Sequence, residues 1–466
     1  NRLSLSPLSN LLSHTRFLCT LRSKARAYDY HSIVVFRLSS TTGDESGSFD
    51  SNSDSISVDS MQLYAMESTC PHLGADMGHA DIEDTDVGLV AVCPWHRYDF
   101  DLKTGHSETG LRACTFEIQI RDGGGPPNGR VVWVEAPGDG DWDVVELRPV
   151  SEDFVDPPNI SRLLLDDGDS AKPPEELDQP PPTTLLEWAV LILNTSQPQL
   201  KVDRTRQAVA AFRTGQLKSV GRNKPLVRPP PNIPPRDQLN VVQPGKVAKR
   251  GKAGSVKSRI AILHALANIE QWAIDLAWDM IARFGKEKVD GEPLPHQFFL
   301  DWTKVAEDES KHFSLLRKRL EELGSYYGSH TVHAGLWESA QQTSHSLSSR
   351  LCIIHLVHEA RGLDVNPATI AKFRNAGDLD SVKVLEIIHH DEITHVTAGH
   401  RWFSYLCEKN GLDPVATFRQ EVRNHFSGAL KGPFNEEDRR KAGMTPDFYE
   451  DLRGELGQPT QMNDQT

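Results

Sequence analysis

Four segments in the second half of this 466-residue chain, 258–284, 296–323, 346–362 and 379–407, carry apolar residues at the 3.6-residue spacing of an amphipathic helix. The connections between them contain Gly or Pro. Each apolar stripe is interrupted by a carboxylate. In the first, Leu263, Leu266, Ala267, Ile274, Ala277 and Ile281 define a face that also holds Glu270. In the second, Trp302, Val305, Phe313, Leu316 and Leu320 frame Glu309 and His312. The third sets Glu359 beside Leu351, Cys352 and His355, and the fourth frames Glu392 and His395 with Leu385, Ile388, Val396, Gly399 and Phe403. A lone ionised carboxylate in a packed helical core is costly, so it must be neutral, paired or bound to a cation. Residues three apart share a helix face, so each Glu-x-x-His can present two donors to one ion. The order Glu, Glu-x-x-His, Glu, Glu-x-x-His predicts a four-helix bundle with a polar site between the helices.

The first third of the chain has a different period. From Tyr28 to about Pro149, short runs such as Ile33–Phe36, Leu63–Met66, Leu89–Val92, Phe116–Ile120 and Val131–Val134 are broken by Gly, Asp, Ser and Pro, which predicts a small all-β domain. Residues 41–60, rich in Ser, Asp and Gly, read as a long loop insertion within it. Two turns carry its chemistry. Cys70-Pro71-His72 and Cys93-Pro94-Trp95-His96 each follow a strand, and together they can bring two thiolates and two imidazoles to one point. Thiolate is the ligand that sulfide-bridged iron prefers, and imidazole raises the potential of the iron it binds. The same four donors would also hold a single Zn²⁺.

Between and around these regions, composition sets the boundaries. Residues 151–182 hold seven prolines and nine acidic against two basic side chains, an extended acidic linker. Residues 183–257 read as a helical and then basic, Pro-rich connector. The stretch 199–259 is net +13, although the whole chain is net −14. Residues 1–28 contain five basic residues and no acidic one, a composition similar to a mitochondrial transit peptide; as the chain begins with Asn, 1–27 is read either as a targeting segment or as a disordered or truncated terminus. The last residues, 456–466, read as a disordered tail. No apolar run approaches the roughly 20 residues of a membrane-spanning helix, and Leu185–Leu193 reads as a core helix. Six cysteines in so long a chain make no disulfide framework, so an intracellular location is expected, cytoplasmic or mitochondrial.

On the residues Cys70, His72, Gly74, Cys93, Pro94 and His96, followed by Phe100-Asp101-Leu102-Lys103-Thr104-Gly105, the β domain resembles the Rieske [2Fe–2S] family. The resemblance implies that Cys70 and Cys93 hold one iron and His72 and His96 the other. Ala75 and Trp95 stand where respiratory Rieske proteins place a disulfide, so the likeness is to ferredoxin and oxygenase types. Arg97 stands where the family usually has Gly.

The helical region resembles ferritin-like proteins of largely uncharacterised function. The likeness is carried by His264-Ala265-Leu266-Ala267-Asn268-Ile269-Glu270, Asp301-Trp302, Asp308-Glu309, Gly335-Leu336-Trp337-Glu338, Glu359-Ala360-Arg361-Gly362-Leu363-Asp364-Val365 and Pro433-Phe434-Asn435. It implies a dinuclear non-haem iron centre held by Glu270, Glu309, His312, Glu359, Glu392 and His395. His264, His355, His358, His389 and His390 lie near and are taken as supporting or surface residues. The fold expected is therefore multidomain, an N-terminal all-β Rieske domain (28–150) and a C-terminal all-α ferritin-like four-helix bundle (258–455).

Together these sites imply an oxidoreductase in which the cluster feeds electrons to the di-iron centre for O₂-dependent hydroxylation of an unknown substrate. No G-x-G-x-x-G follows a strand, so an external NAD(P)H-linked reductase or a ferredoxin is expected as electron donor. A ferroxidase or iron-handling protein, a mononuclear-iron oxygenase using the His389–His395 stretch, and a redox protein without an organic substrate stand as alternatives. The fold resembles tRNA-modifying di-iron hydroxylases, and the basic stretch is either an RNA footprint or a segment that packs on the acidic bundle.

Overall fold

A computed structural model of the chain describes residues 1–26, 29–39, 61–85, 88–122, 129–150, 182–226, 228–237, 239–243, 246–247 and 251–456. The insertion expected at 41–60, and all but the edge residues of the linker (151–182) and the tail (456–466), lie outside them. The chain forms two compact units, the first all-β and the second mostly helical.

The β unit contains β1 (Arg2–Pro7), β2 (Arg16–Ser23), β3 (Tyr30–Ser39), β4 (Met61–Glu67), β5 (Asp81–Thr85), β6 (Gly88–Val92), β7 (Asp99–Asp101), β8 (Thr115–Phe116), β9 (Ile118–Asp122), β10 (Arg130–Glu135) and β11 (Trp142–Pro149). They pair into antiparallel sheets ordered β11-β2-β3-β4-β8, β1-β10-β9 and β5-β6-β7. The expectation that residues 1–27 are a targeting or disordered segment is corrected here for residues 1–26, because β2 sits between β3 and β11, with Cys19 opposite both Ile33 and Leu147. Alternation decides this. Phe17, Cys19 and Leu21 point to one face and are buried with Leu5, Leu8, Leu11, Ile33, Val35, Val132 and Val134. Burying Phe17 and Leu21 alone is worth about 1.5–3 kcal/mol each, which a basic Ser-rich composition does not reveal. The β domain accordingly includes β1 and β2 and is not confined to 28–150.

The helical unit contains α1 (Leu185–Leu193), α2 (Pro198–Arg213), α3 (Val256–Phe284), α4 (His296–Glu322), α5 (Gly335–Gln342), α6 (Leu347–Arg350), α7 (Glu359–Asn375), α8 (Leu379–Lys409), α9 (Pro414–His425), α10 (Glu436–Lys441) and α11 (Pro446–Tyr449). Side chains that satisfy the first backbone N–H groups fix where several of these begin. Thr184 and Glu187 form a reciprocal capping box on α1, and Ser255, Asp378 and Asp413 cap α3, α8 and α9. Between α6 and α7, Leu351–His358 is a π-helical turn, so 347–375 is one continuous helix and the third bundle helix extends past the expected end at 362.

Four long helices, α3, α4, the α6–α7 helix and α8, pack together and bury Trp302, Phe313, Leu351, Ile354 and Phe403 between them. The 183–257 segment is not a mere connector. From α2, Lys201 is fully buried and bonds Asp275 of α3, while the Arg236 guanidinium bonds the other Asp275 oxygen and lies 3.7 Å over Trp272. Among the described residues, no helix is long and apolar enough to cross a membrane.

Candidate metal centres

The first centre lies on two loops of the β unit. Cys70 follows β4 and Cys93 follows β6, and the two turns are built alike. In each, the carbonyl of the cysteine accepts from the N–H four residues on, from Gly74 at 2.8 Å and from Arg97 at 3.0 Å. Both closing residues have positive φ, +80° at Gly74 and +58° at Arg97. Arg97 therefore adopts the left-handed conformation for which glycine is the unstrained choice, held there by ion pairs from its guanidinium to Asp81 and Glu83 of β5. The loop thus keeps its turn although the glycine is missing.

Cys70 and Cys93 are buried, their thiols hydrogen-bonded to each other, and the half-buried rings of His72 and His96 lie 4.8 Å apart. Accepting from the Cys70 thiol, and helped by the backbone N–H groups of His96 and Trp95, Cys93 is pushed down to about 6. Cys70, which shares the remaining proton and is buried, is raised. The His72 Nδ1 is buried without a hydrogen-bond partner. Two adjacent thiols with N–H donors aimed at sulfur, beside an unpartnered imidazole nitrogen, suit an iron–sulfur cluster. Cys19, Cys114, Cys352 and Cys407 take no part in either centre, and Cys352 Sγ donates instead to the Phe418 carbonyl.

The second centre lies between the four long helices and brings all six expected residues together. Donor atoms of Glu270, Glu309, His312 and Glu392 fall within 4.8 Å of one another. Glu309 is central: its Oε2 lies 3.3 Å from His312 Nδ1 and its Oε1 3.0 Å from His395 Nδ1. Glu270 Oε2 lies 3.5 Å from His312 Nδ1, and Glu392 Oε2 lies 3.5 Å from His395 Nδ1. Glu359 completes the set, hydrogen-bonded to Glu392. Every one of these side chains comes from the apolar face of its helix.

Burial, followed by the charge of Glu309, raises Glu270 well above the carboxylate range, and burial with Glu392 and Glu309 does the same to Glu359. Burial also opposes the charge on Glu309, His312 and His395, but their mutual attraction outweighs it. Glu309 is held low, chiefly by His395 and His312; His312 is held well above the imidazole range by Asp391, Glu270 and Glu309, and His395 by Glu309 and Asp308. Protons here occupy the place of cations. Four carboxylates with neutral imidazoles carry a charge of −4, which two divalent ions would neutralise.

Three further residues belong to the site, and sequence reading gave them no role. Asp391 Oδ2 lies 3.0 Å from His312 Nε2, and Asp308 Oδ2 lies 3.5 Å from His395 Nε2. Each histidine is therefore steadied by the aspartate that precedes the Glu-x-x-His of the other helix. Such a partner fixes which imidazole nitrogen is available to a metal. Lys311 joins the pair, 2.6 Å from Asp391 and 3.1 Å from Asp308. The available signal was that both motifs read Asp-Glu-x-x-His, at 308–312 and 391–395.

The neighbouring histidines sort clearly. His264 Nε2 accepts from the Gly328 N–H at 2.8 Å, His358 Nε2 faces Ser339 Oγ at 2.9 Å, His389 Nε2 lies 3.1 Å from Asp438 Oδ2, and His390 is exposed. With His389 engaged by α10 and His390 at the surface, the stretch 389–395 assembles no separate mononuclear site.

Against known proteins, residues 194–450 match the family model described as "Protein of unknown function (DUF455)", and residues 53–126 match "Soluble Rieske-type ferredoxin". An "Uncharacterized protein" of Haemophilus influenzae is 39% identical over 224 residues, 46% of this chain and 77% of that protein. A human "Rieske domain-containing protein" is 43% identical over 44 residues, 9% of this chain and 28% of its own length. A Rieske-type ferredoxin domain thus precedes the helical unit, and since the first model covers more than half of its length, the chain belongs to the family described as protein of unknown function (DUF455).

Proposed function

We propose that the chain is an iron-dependent oxidoreductase in which a Rieske cluster supplies electrons to a dinuclear, ferritin-like iron centre for O₂-dependent hydroxylation of an organic substrate. Cys70 and Cys93 would hold one iron of the [2Fe–2S] cluster and His72 and His96 the other. Glu270, Glu309, His312, Glu359, Glu392 and His395 would hold the two irons of the helical unit. The observation that carries this reading is the convergence of four buried carboxylates and two Asp-supported imidazoles from four helices, on one chain with a Rieske-type domain. When bound, the cluster supplies electrons singly and the iron pair stores two of them for O₂ activation.

The protein's own groups would do the rest. Asp308 and Asp391 keep the Nδ1 atoms of His395 and His312 directed at the centre, and Lys311 offsets the repulsion between the two aspartates. Glu309, with one oxygen toward each imidazole, would offer a donor atom on either side of the centre. Carrying both centres on one chain makes electron delivery intramolecular. A separate NAD(P)H-linked reductase or ferredoxin would reload the cluster at the half-exposed His72 and His96 edge.

The test is iron content and reactivity of the full chain. About four irons per chain are expected, and both centres should re-oxidise when the anaerobically reduced protein meets O₂. Glu309→Ala should lose the helical iron and keep the Rieske spectrum. A helical unit that takes up only zinc, or no metal, overturns the proposal; helical iron that O₂ oxidises equally well with the cluster removed makes Fe²⁺ itself the substrate.

A further inference from the structure

His355 resembles the candidate ligand His395 in its surroundings. It is 1% exposed, and neither of its ring nitrogens has a hydrogen-bond partner. Its Nδ1 lies 3.9 Å from Glu359 Oε1. Two donors that each sit about 2.0–2.2 Å from one ion are about 3 Å apart when adjacent and about 4 Å apart when opposite. The 3.9 Å separation falls within that span, as do the 3.0–3.5 Å separations that relate His312 and His395 to their carboxylates.

Resting on the dinuclear reading above, we propose that His355 is a third imidazole ligand of the helical centre, on the ion nearest Glu359. Two independent features of the fold are shaped around it. The first is the backbone: His355 lies inside the π-helical turn Leu351–His358, which ends directly before Glu359. A π turn widens an otherwise regular helix at a cost in hydrogen-bond geometry, and such turns concentrate at functional sites.

The second is the helix opposite. A Cβ at Gly399 of α8 would come within 2.7 Å of His355 Cβ and 3.3 Å of its carbonyl oxygen, so only glycine admits the turn this close. Trp302 covers the ring at a centroid distance of 4.3 Å without bonding either nitrogen. As a neutral donor, His355 would leave the balance of four carboxylates against two divalent ions unchanged. In the sequence, its position one turn before Glu359 on an apolar stripe gave it a supporting or surface role.

The experiment loads the helical unit of the full chain with Co²⁺ and measures absorption at the cobalt edge, which cluster iron does not contribute to. Three imidazoles over two ions give about 1.5 imidazole nitrogens per cobalt, and two give about 1.0. We expect about 1.5 in the unmodified chain, falling to about 1.0 in His355→Gln together with at least a tenfold weaker affinity for one of the two ions. About 1.0 in the unmodified chain overturns the proposal without recourse to any variant, and an unchanged count in a folded His355→Gln does the same. Uptake of fewer than two cobalt ions per unmodified chain would instead remove the dinuclear reading beneath it.

Discussion

Replacing Gly399 by Ala sets two opposed terms against each other. Gly399 lies within α8, where Ala is favoured over Gly by about 0.8–1.0 kcal/mol. The added Cβ would meet His355 Cβ at 2.7 Å and the His355 carbonyl oxygen at 3.3 Å, whereas carbon atoms settle at about 3.5–4.0 Å. The neighbour is a backbone-proximal atom of a buried turn rather than a mobile side-chain end, so the helices must part by several tenths of an ångström. Overpacking of this kind costs about 1–3 kcal/mol. The clash wins, and the net change is a loss of about 0–2 kcal/mol. At about 2–4 °C per kcal/mol for a unit of this size, Tm falls by up to roughly 8 °C. The loss should be followed by the far-ultraviolet helical signal, so that melting of the β unit does not enter. The same displacement moves His355 and Glu359 together away from Glu392 and His395 of α8, so metal affinity should fall with stability. A helical unit that melts higher in Gly399→Ala would refute the reasoning, since propensity could prevail only if α8 and the π turn were further apart.

Two other outcomes follow from the charges around the centre. Asp391→Asn replaces the carboxylate 3.0 Å from His312 Nε2 and removes a partner of Lys311, so affinity for the helical metal should drop about 10- to 100-fold with the Rieske spectrum unchanged; equal affinity in a metal titration would show that His312 needs no such support. Glu270, His312, Glu359 and His395 are all raised in the metal-free protein, so each holds its proton to higher pH than a free side chain does, and bound cations compete with those protons. Metal uptake in weakly buffered solution should release protons, and apparent affinity should rise with pH; uptake without acidification would contradict the assigned charges.

The six candidate ligands were legible because a buried carboxylate interrupts a 3.6-residue apolar period, and Glu270 stands out among Leu266, Ala267, Ile274 and Ala277. The crossed pairing of Asp391 with His312 and Asp308 with His395 was not, because it depends on how α4 and α8 face each other, and periodicity within one helix carries no such information. The π turn escaped for a related reason: Leu351–His358 is apolar almost throughout, which serves a buried α-helix equally well. At the other end of the chain, basic composition suggested a leader where the alternation Phe17, Cys19, Leu21 builds an interior strand. Arg97 shows the converse. The residue that put its turn in doubt keeps the glycine-like backbone because Asp81 and Glu83 hold its side chain.

The basic stretch of the helical unit bears on what its centre acts upon. A net +13 over 199–259 invites comparison with a phosphate-binding surface, which would need its cations directed to solvent. Several are directed inward. Lys201 and Arg236 converge on Asp275, Arg259 pairs with Asp378 at 2.9 Å, Arg204 bonds Thr195 at 2.7 Å, and Arg222 bonds the Leu294 carbonyl and lies 4.9 Å over Phe299. A buried cation repays its desolvation only through a fixed counter-charge, so Lys201 and Asp275 are bound to each other structurally and neither is available to a polyanion. Three of its fifteen Lys and Arg thus supply counter-charges, to Asp275 on α3 and to Asp378 at the N-cap of α8. That role removes these three cations from any phosphate-binding surface.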